Sequence, residues 1–397
     1  MPQPTRHKIL IIGAGLGGLA AAACLLQDGH DVDVFDQTRE LGEVGAGIQI
    51  SANAMHVLRH MQVADELAEQ AVRPLAYTFC MGDTGEVIQS FPLSLEHEDK
   101  HGAPYFHVHR ADLHDILVRR VLALKPGCIH LDHRLVEYAE TNDGVTAVFA
   151  SGNQVSGDIL IGADGLKSNV RRQMRGADNP VYTGDSVWRA MVPAEKVLRE
   201  FNVVEQKLWM MPGGHAIAYF IRNCSIVNFG LVKKKVKTAE ESWTIRRPWE
   251  ELKADVEGWN PAVQAIVDAA DKDACYLWAL HIREPKSDWS TNRVTTLGDS
   301  VHATLPYLAQ GAAMAFEDAA VIARALQQEA NITEALQLYQ RNRYERTGRV
   351  VRESSENGSI FHQPSREALR DVFANRNMGA ERSNWLFSYN PLTVALV

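Results

Sequence analysis

Residues 8–18 read KILII-GAGLGG, an apolar strand followed by glycines at the spacing G-x-G-x-x-G. Gly13 permits a tight turn, Gly15 leaves room for phosphates beside the backbone, and Gly18 lets the following helix pack against the sheet. Because the first amides of that helix lack intrahelical partners, its N-terminus favours a negatively charged group. The segment therefore predicts a strand, a turn and a helix that hold the pyrophosphate of a dinucleotide.

A carboxylate, Asp36, stands at the end of a second apolar strand, residues 32–35. It is suited to accept hydrogen bonds from the hydroxyls of an adenosine ribose and would repel a 2'-phosphate. This favours FAD or NAD over NADP at this site. A glycine-rich turn that binds no ligand is the alternative, and the position of Asp36 argues against it.

Composition restricts the remaining classes of protein. The 397 residues exceed what one hydrophobic core usually fills, so we expect two domains. A net charge of -8 disfavours nucleic acid as a partner, and we expect the basic run 233–237 to be a solvated loop or hairpin end. Residues 9–27 are uncharged, but their glycines fit the fingerprint and not a membrane span. The five cysteines lack C-x-x-C spacing, which favours a reducing cytoplasm and no metal site.

Two later segments extend the pattern of strand followed by glycine. Residues 158–165 read DILIGADG, and residues 297–306 read LGDSVHATLP, followed by QGAAM at 310–314. In this order and spacing, the three segments resemble the FAD-dependent aromatic hydroxylases, which are single-component flavoprotein monooxygenases. The resemblance extends to about residue 350. It implies an α/β fold in which a Rossmann-like FAD-binding domain is joined to a β-sheet substrate domain.

Strand-rich segments interrupt the nucleotide-binding pattern, so the chain is expected to pass between the domains more than once. The expected domains are a discontinuous FAD-binding domain (1–75, 105–178 and 291–365), a substrate domain (76–104 and 179–290) and a C-terminal segment (366–397). In that segment the aromatic run 384–391 would be costly to expose. We expect it to dock on the chain's own core or on a dimer partner, with a lid over the substrate as the alternative.

The resemblance assigns further residues to the cofactor. It implies that Asp299 binds the ribityl chain of FAD, that Asp164 serves both FAD and the nicotinamide donor, and that Arg110 lies along the flavin. A helix beginning at Gly311 and Ala312 would also stabilise the anionic reduced flavin, and its small side chains would let the backbone approach the ring. The predicted cofactor-binding residues are Gly13, Gly15, Gly18, Asp36, Gly47, Arg110, Asp164, Asp299, Gly311 and Ala312.

The reaction is likewise what the resemblance implies. NADH or NADPH reduces FAD, dioxygen adds at flavin C4a to give a hydroperoxide, and its distal oxygen is attacked by an electron-rich ring. The expected substrate is a small hydroxylated aromatic or heteroaromatic carboxylate, hydroxylated with or without loss of the carboxylate. A flavin-dependent reductase or oxidase on the same fold and a non-catalytic escort protein are the alternatives. A monomer and a homodimer are both compatible with the sequence.

Within the family, the chain resembles the branch that contains salicylate hydroxylase, 3-hydroxybenzoate 6-hydroxylase and 6-hydroxynicotinate 3-monooxygenase. The resemblance rests on residues 45–50 (GAGIQI), on His215 with Tyr219, and on residues 305–311 (LPYLAQG). Gln49 and Tyr307, both predicted to bind substrate, stand where the hydroxynicotinate enzymes carry histidine. This difference argues against hydroxynicotinate as the substrate.

Alternation along a predicted strand places His215 and Tyr219 on one face, about 13 Å apart at roughly 3.3 Å per residue. The two could flank an aromatic ring, with His215 as proton acceptor and Tyr219 as hydrogen-bond partner. Their alternative role is that of half-buried sheet residues. Arg189 is predicted to pair with a substrate carboxylate, or else to form an ion pair between domains or beside the flavin. His302 is predicted to be structural.

Overall fold

The computed structural model describes residues 6–42, 46–177, 180–234 and 246–397. Its strands are β1 (Lys8–Ile12), β2 (Asp31–Phe35), β3 (Gly47–Ile50), β4 (Ala76–Met81), β5 (Val87–Pro92), β6 (Phe106–His109), β7 (Ile129–His130), β8 (Leu135–Glu140), β9 (Val145–Phe149), β10 (Gln154–Gly157), β11 (Ile159–Gly162), β12 (Val181–Pro193), β13 (Gln206–Met211), β14 (Gly214–Ile221), β15 (Ile226–Lys234), β16 (Tyr276–Ile282) and β17 (Val294–Thr296). Its α-helices are α1 (Leu16–Gln27), α2 (Ala52–His60), α3 (Ala64–Ala68), α4 (Leu95–His101), α5 (Arg110–Leu124), α6 (Asn169–Arg175), α7 (Trp249–Asp255), α8 (Pro261–Asp268), α9 (Asp299–His302), α10 (Gly311–Gln328), α11 (Ile332–Phe361), α12 (Arg366–Ala374) and α13 (Met378–Arg382).

A five-stranded sheet in the order β17-β11-β1-β2-β7 carries the three glycine segments. Its strands are parallel, and the central pair aligns Ile12 with Gly162. The apolar strand β1 is almost wholly buried, as a parallel sheet covered on both faces requires. Because β1, β11 and β17 are neighbours, the turns after them meet at the same edge of the sheet. The three glycine segments therefore converge at one edge of this sheet.

A seven-stranded sheet, in the order β16-β12-β15-β14-β13-β4-β5, forms the second layer. Strands β4 and β5 pair as an antiparallel hairpin, and β4 joins it to β13 of this sheet. Side chains on one face, including Trp188, Phe220 and Phe229, pack into an apolar core with α7 and α8. The opposite face borders a cavity. The exact bounds of the two domains remain a prediction.

Two long helices join the sheets. Helix α10 covers Gly311–Gln328, so it begins where the sequence predicts, and it packs on α1. Helix α11 begins at a cap in which the side chain of Asn331 accepts a hydrogen bond from the Glu334 amide. It runs for 30 residues to Phe361, beside the cavity. No helix in the described ranges is both long and apolar enough to cross a membrane.

The C-terminal segment docks on the chain's own core, which confirms the first of the two expectations for its aromatic run. Phe387 is buried against His97 and Tyr105. Tyr389 lies 3.7 Å from the guanidinium of Arg346, measured to the ring centroid. Of the basic run 233–237, the first two lysines end strand β15, and the rest lies outside the described residues.

Candidate active site

A cavity of about 230 Å³ lies between the seven-stranded sheet and the third glycine segment. Its floor is one face of the sheet, since cross-strand partners contribute to it in register: His215 pairs with Val232, and Tyr219 pairs with Asn228. Residues 304–309 with Gly311 and Ala312 line it from the other side. A space of this size fits one aromatic ring with short substituents.

His215 lies at one end of this floor. Its side chain is buried, and its ring contacts the rings of Tyr307, Phe361 and His362. Burial and the neighbouring His362 hold the pKa of His215 well below its usual range. The imidazole is therefore neutral at physiological pH and has a nitrogen that can accept a proton.

A buried chain of polar groups extends from His215 away from the cavity. Nδ1 of His215 lies 2.8 Å from Nε2 of His362, and Nδ1 of His362 lies 3.6 Å from Oδ2 of Asp185. The hydroxyl of Tyr307 donates to the same Asp185 oxygen over 2.9 Å. The carboxylate favours the proton on Nδ1 of His362, which makes His362 Nε2 an acceptor and leaves Nε2 of His215 as the free base.

Tyr219 occupies the other end of the floor. Its ring lies 4.4 Å from that of His107, between centroids. Burial raises the pKa of Tyr219 to about 12, although nearby Arg189 and a hydrogen bond with Gln49 oppose the rise. Gln49 also accepts a hydrogen bond from Tyr105 over 2.7 Å. The phenol is thus protonated and held in a network of neutral polar groups.

Close approach explains the glycine beside Tyr219. A Cβ on Gly47 would lie 2.7 Å from the Asn228 side chain and 2.8 Å from the Tyr219 ring. The Gly47 amide donates to Oδ1 of Asn228 over 2.7 Å, which ties β3 to the floor of the cavity. The predicted position of Gly47 beside the site is therefore a consequence of packing as well as of any ligand.

Arg189 also lies on the cavity wall, where its guanidinium stacks over Trp278 at 4.5 Å. Within the described part of the chain it forms no ion pair, so the interdomain ion pair that was its alternative role is not observed there. Burial lowers the pKa of Arg189, and nearby Arg110 adds to that effect. Its role toward a substrate carboxylate remains a prediction.

The first glycine segment has the shape that a dinucleotide requires. Gly13 adopts φ +113°, and a Cβ there would lie 2.3 Å from the Ala163 carbonyl oxygen. A Cβ on Gly18 would lie 2.0 Å from the Gly13 carbonyl oxygen, so α1 packs against the turn as predicted. At Gly15 a Cβ would meet open space, where backbone and ligand can approach. Helix α1 begins there without a side-chain cap, which suits a phosphate.

The predicted carboxylates have different surroundings. Asp36 lies at the end of β2 and accepts hydrogen bonds from the Ala14 amide over 2.7 Å and from Thr38. Asp164 accepts from the amides of Asn169 and Val170 and from two serine hydroxyls, so it holds the start of α6. Its cofactor role remains a prediction beside this structural one.

Asp299 is exposed, borders the cavity and accepts no hydrogen bond from any described residue. Gly311 begins α10 without a side-chain cap or an acid in the first turn, so that helix end is open to an anion. Arg110 begins α5, and its amide donates to the Ala46 carbonyl. Together with the open turn at Gly15, these groups fit FAD extended from the first glycine segment to the cavity.

His302, predicted to be structural, lies outside the cavity. Its Nε2 is 2.6 Å from Oδ2 of Asp318, and both side chains are buried. Asp318 also pairs with Arg343 over 2.7 Å. This placement supports the structural role.

Three residues of the site have no sequence motif that would have revealed them. Asp185 lies on the cavity face of β12, two residues before Val187, and His362 follows the last residue of α11. Arg382 lines the cavity from α13. Each reaches the site from a different part of the chain, so only the fold brings them together.

Comparison with known proteins places this geometry in a family. The family model that describes the FAD binding domain matches residues 6–354 of this chain. The chain belongs to the FAD-dependent aromatic hydroxylases. 3-Amino-4-hydroxybenzoate 2-monooxygenase PtnB3 of Streptomyces platensis is 34% identical over 396 residues, which cover 98% of each chain. 6-Hydroxynicotinate 3-monooxygenase of Pseudomonas fluorescens is 33% identical and is matched over 98% of this chain and 97% of its own.

A solved structure is similar over the same extent. Klebsiella pneumoniae HpxO complexed with FAD and uric acid superimposes with a TM-score of 0.83 at 26% identity, covering 97% of each chain. The predicted family, α/β fold class, FAD cofactor and enzyme class are confirmed, and NAD(P)H is the typical donor in this family. The chain is thus an FAD-dependent aromatic monooxygenase, which excludes the escort protein and favours oxygenation over the reductase or oxidase alternative.

Proposed function

We propose that this monooxygenase hydroxylates a small hydroxylated aromatic or heteroaromatic carboxylate, and that His215 accepts the proton of the substrate hydroxyl. The observation that carries the proposal is the buried, neutral His215 at the cavity wall, with its Nδ1 held by His362. Relatives named as acting on an aminohydroxybenzoate and a hydroxynicotinate support a substrate of this class.

Deprotonation makes a hydroxylated ring more electron-rich and so a better partner for an electrophilic oxygen. Nε2 of His215 is the acceptor left free in the cavity, and Asp185 stabilises the positive charge that arises on the histidine pair. The hydroxyl of Tyr307 shares the Asp185 carboxylate and fixes its position. The pair thus holds the proton away from the reacting ring.

Tyr219 and Gln49 orient the other end of the ring. Because the pKa of Tyr219 is raised to about 12 by burial, its hydroxyl remains a hydrogen-bond donor over the working pH range. The two ends of β14 thus hold a ring between a base and a donor. FAD, when bound and reduced by NADH or NADPH, supplies the activated oxygen, and apolar side chains such as Ile217 and Leu308 exclude water.

Anaerobic mixing with NADH tests this proposal. Salicylate, 3-hydroxybenzoate, 3-amino-4-hydroxybenzoate and 6-hydroxynicotinate are each compared with no added ring, and flavin reduction is followed by absorbance. We expect at least one ring to accelerate reduction and to gain one atom of labelled dioxygen. The same measurement with NADPH in place of NADH shows which nicotinamide reduces the flavin faster. If no hydroxylated ring is oxygenated, the proposed substrate class is wrong.

His215→Asn tests the assigned base. We expect hydroxylation to fall about a hundredfold or more, with hydrogen peroxide released in place of product. Binding of FAD should be retained, because the residues whose rings contact His215, namely Tyr307, Phe361 and His362, are not among those predicted to bind the cofactor. Wild-type rates of hydroxylation in this variant would remove His215 from the mechanism.

A further inference from the structure

Arg382 brings a guanidinium to the cavity from the C-terminal segment. It is the last residue of α13, its side chain lines the cavity, and the residue is only 5% exposed. Its Nε and Nη2 are buried and have no hydrogen-bond partner among the residues that the structure describes. Across the described ranges, Arg382 makes no ion pair either. It therefore carries a buried charge that the protein itself does not neutralise.

Such a charge is costly unless something compensates it, because a buried guanidinium has lost its hydration. Arg343 shows the usual solution, since it is equally buried and pairs with both Glu317 and Asp318 at 2.7 Å. Arg382 instead stacks beside Tyr77 and Phe79, at 4.8 and 5.7 Å from their ring centroids. Aromatic faces compensate part of the charge and leave its hydrogen-bond donors unused.

The segment that carries Arg382 is anchored on both sides of it. The Met378 amide donates to Oε1 of Gln89 over 2.9 Å, which ties the start of α13 to β5. The hydroxyl of Ser383 lies 2.8 Å from Nε2 of His101 on α4. The position of the guanidinium is therefore fixed by the fold, as a preorganised binding group requires.

We propose that Arg382 binds the carboxylate of the aromatic substrate as a two-pronged ion pair, so that the C-terminal segment selects acids over neutral rings. A planar carboxylate matches the fork of the guanidinium better than a spherical anion does. The ring would then extend across the floor toward His215. This inference rests on the proposed substrate class and assigns its acidic group to Arg382 in place of Arg189.

The surroundings of the two arginines support this choice. Arg189 stacks over Trp278 and lies near Tyr219 and Arg110, on the side where the flavin is predicted to bind. Arg382 lies near Tyr77 and Tyr105, on another side of the cavity. A substrate held by Arg382 leaves the flavin side free for the oxygen transfer.

Binding titrations test the proposal without requiring turnover. 3-Hydroxybenzoate and its neutral counterpart 3-hydroxybenzamide are titrated into the FAD-loaded enzyme, and the change in flavin absorbance gives each Kd. In the wild type we expect the acid to bind at least about tenfold more tightly than the amide. Arg382→Met should raise the Kd of the acid by about tenfold or more and keep the Kd of the amide within about twofold of the wild-type value. Arg382→Lys should retain part of the preference.

Arg376→Met is the matched control, because Arg376 lies on the same segment and pairs with Glu381 at the surface. It should bind both compounds as the wild type does. An acid affinity unchanged by Arg382→Met, or an equal loss of acid and amide, would show that Arg382 only holds the segment in place. If Arg382→Met does not fold with FAD, Arg382→Lys decides. The proposal is overturned if the wild type binds acid and amide with equal affinity and Arg382→Lys does the same.

The outcomes also separate this inference from the proposed function. An acid preference that depends on Arg382, without oxygenation of any ring, would leave the inference standing and refute the hydroxylation. Hydroxylation of acid and amide with equal kcat/KM, unaffected by Arg382→Met, would support the hydroxylation and refute the role of Arg382.

Discussion

At the interface of α10 and α11, Glu317 and Asp318 are fully buried, and each carboxylate contacts a cation. In the cavity, by contrast, the buried guanidinium of Arg382 contacts no carboxylate of a described residue. Arg343 bridges both carboxylates, whereas Arg382 stacks beside the rings of Tyr77 and Phe79. The two regions are joined by α10, which begins at the cavity and continues into the interface. Among the described residues, the buried cation inside the helix interface is thus paired with acids, whereas the one beside the cavity is not.

The cavity and the helix interface also differ in the surroundings of their histidines. His302 in the interface lies 2.6 Å from a carboxylate, and the pKa of that carboxyl, Asp318, is held at about 2 by His302 and Arg343 against the opposing effect of burial. His215 is kept neutral by burial and meets a second histidine in place of an acid. The cavity thus places a neutral histidine beside a second histidine, whereas the interface places a histidine beside a carboxylate.

Arg343→Met should produce the largest effect, because it leaves Glu317 and Asp318 with fewer counter-charges in a site that excludes water. We expect the free energy of unfolding to fall by about 3 to 5 kcal/mol, measured by denaturant titration of the FAD-loaded protein. Arg119→Met, which breaks an exposed pair with Glu66, is the control and should cost about 1 kcal/mol or less. Equal losses for the two variants would mean that the interface does not depend on its buried charges.

His362→Phe should have a smaller effect, confined to the reaction. Without a partner for Nδ1, His215 loses its fixed tautomer, so we expect kcat for hydroxylation to fall about tenfold to a hundredfold. The affinity for substrate and the free energy of unfolding should change little. Gln363→Ala, one residue further on, is the control. A rise in KM at constant kcat would assign His362 to packing.

The smallest effect at neutral pH concerns His97, a buried histidine outside the cavity. Burial lowers the pKa of His97 to about 3, and no described residue forms a hydrogen bond with its Nε2. Below about pH 6.5, His97 therefore binds a proton in the unfolded chain but not in the folded one. The free energy of unfolding consequently decreases as the pH falls from about 6.5 toward 3. His97→Phe should reduce the slope of unfolding free energy near pH 5 by about 1.4 kcal/mol per pH unit.

The exposed His60 provides the control for this slope. His60→Phe should change this slope much less than His97→Phe does, because the His60 side chain is exposed and not buried in the folded chain. If the two variants show the same slope, His97 does not govern the acid response.

The sequence by itself determined the features that depend on neighbouring residues. The turn at Gly13, the packing of Gly18, the start of α10 at Gly311 and the alternation of His215 with Tyr219 follow from local sterics and strand geometry. Only the tertiary structure decided the partners of His215 and the position of Arg382. His362 lies 147 residues from His215 along the chain, and no periodicity or motif records a contact over such a separation. Those contacts arise from the packing of whole elements, which brings β12, the end of α11 and α13 to one cavity.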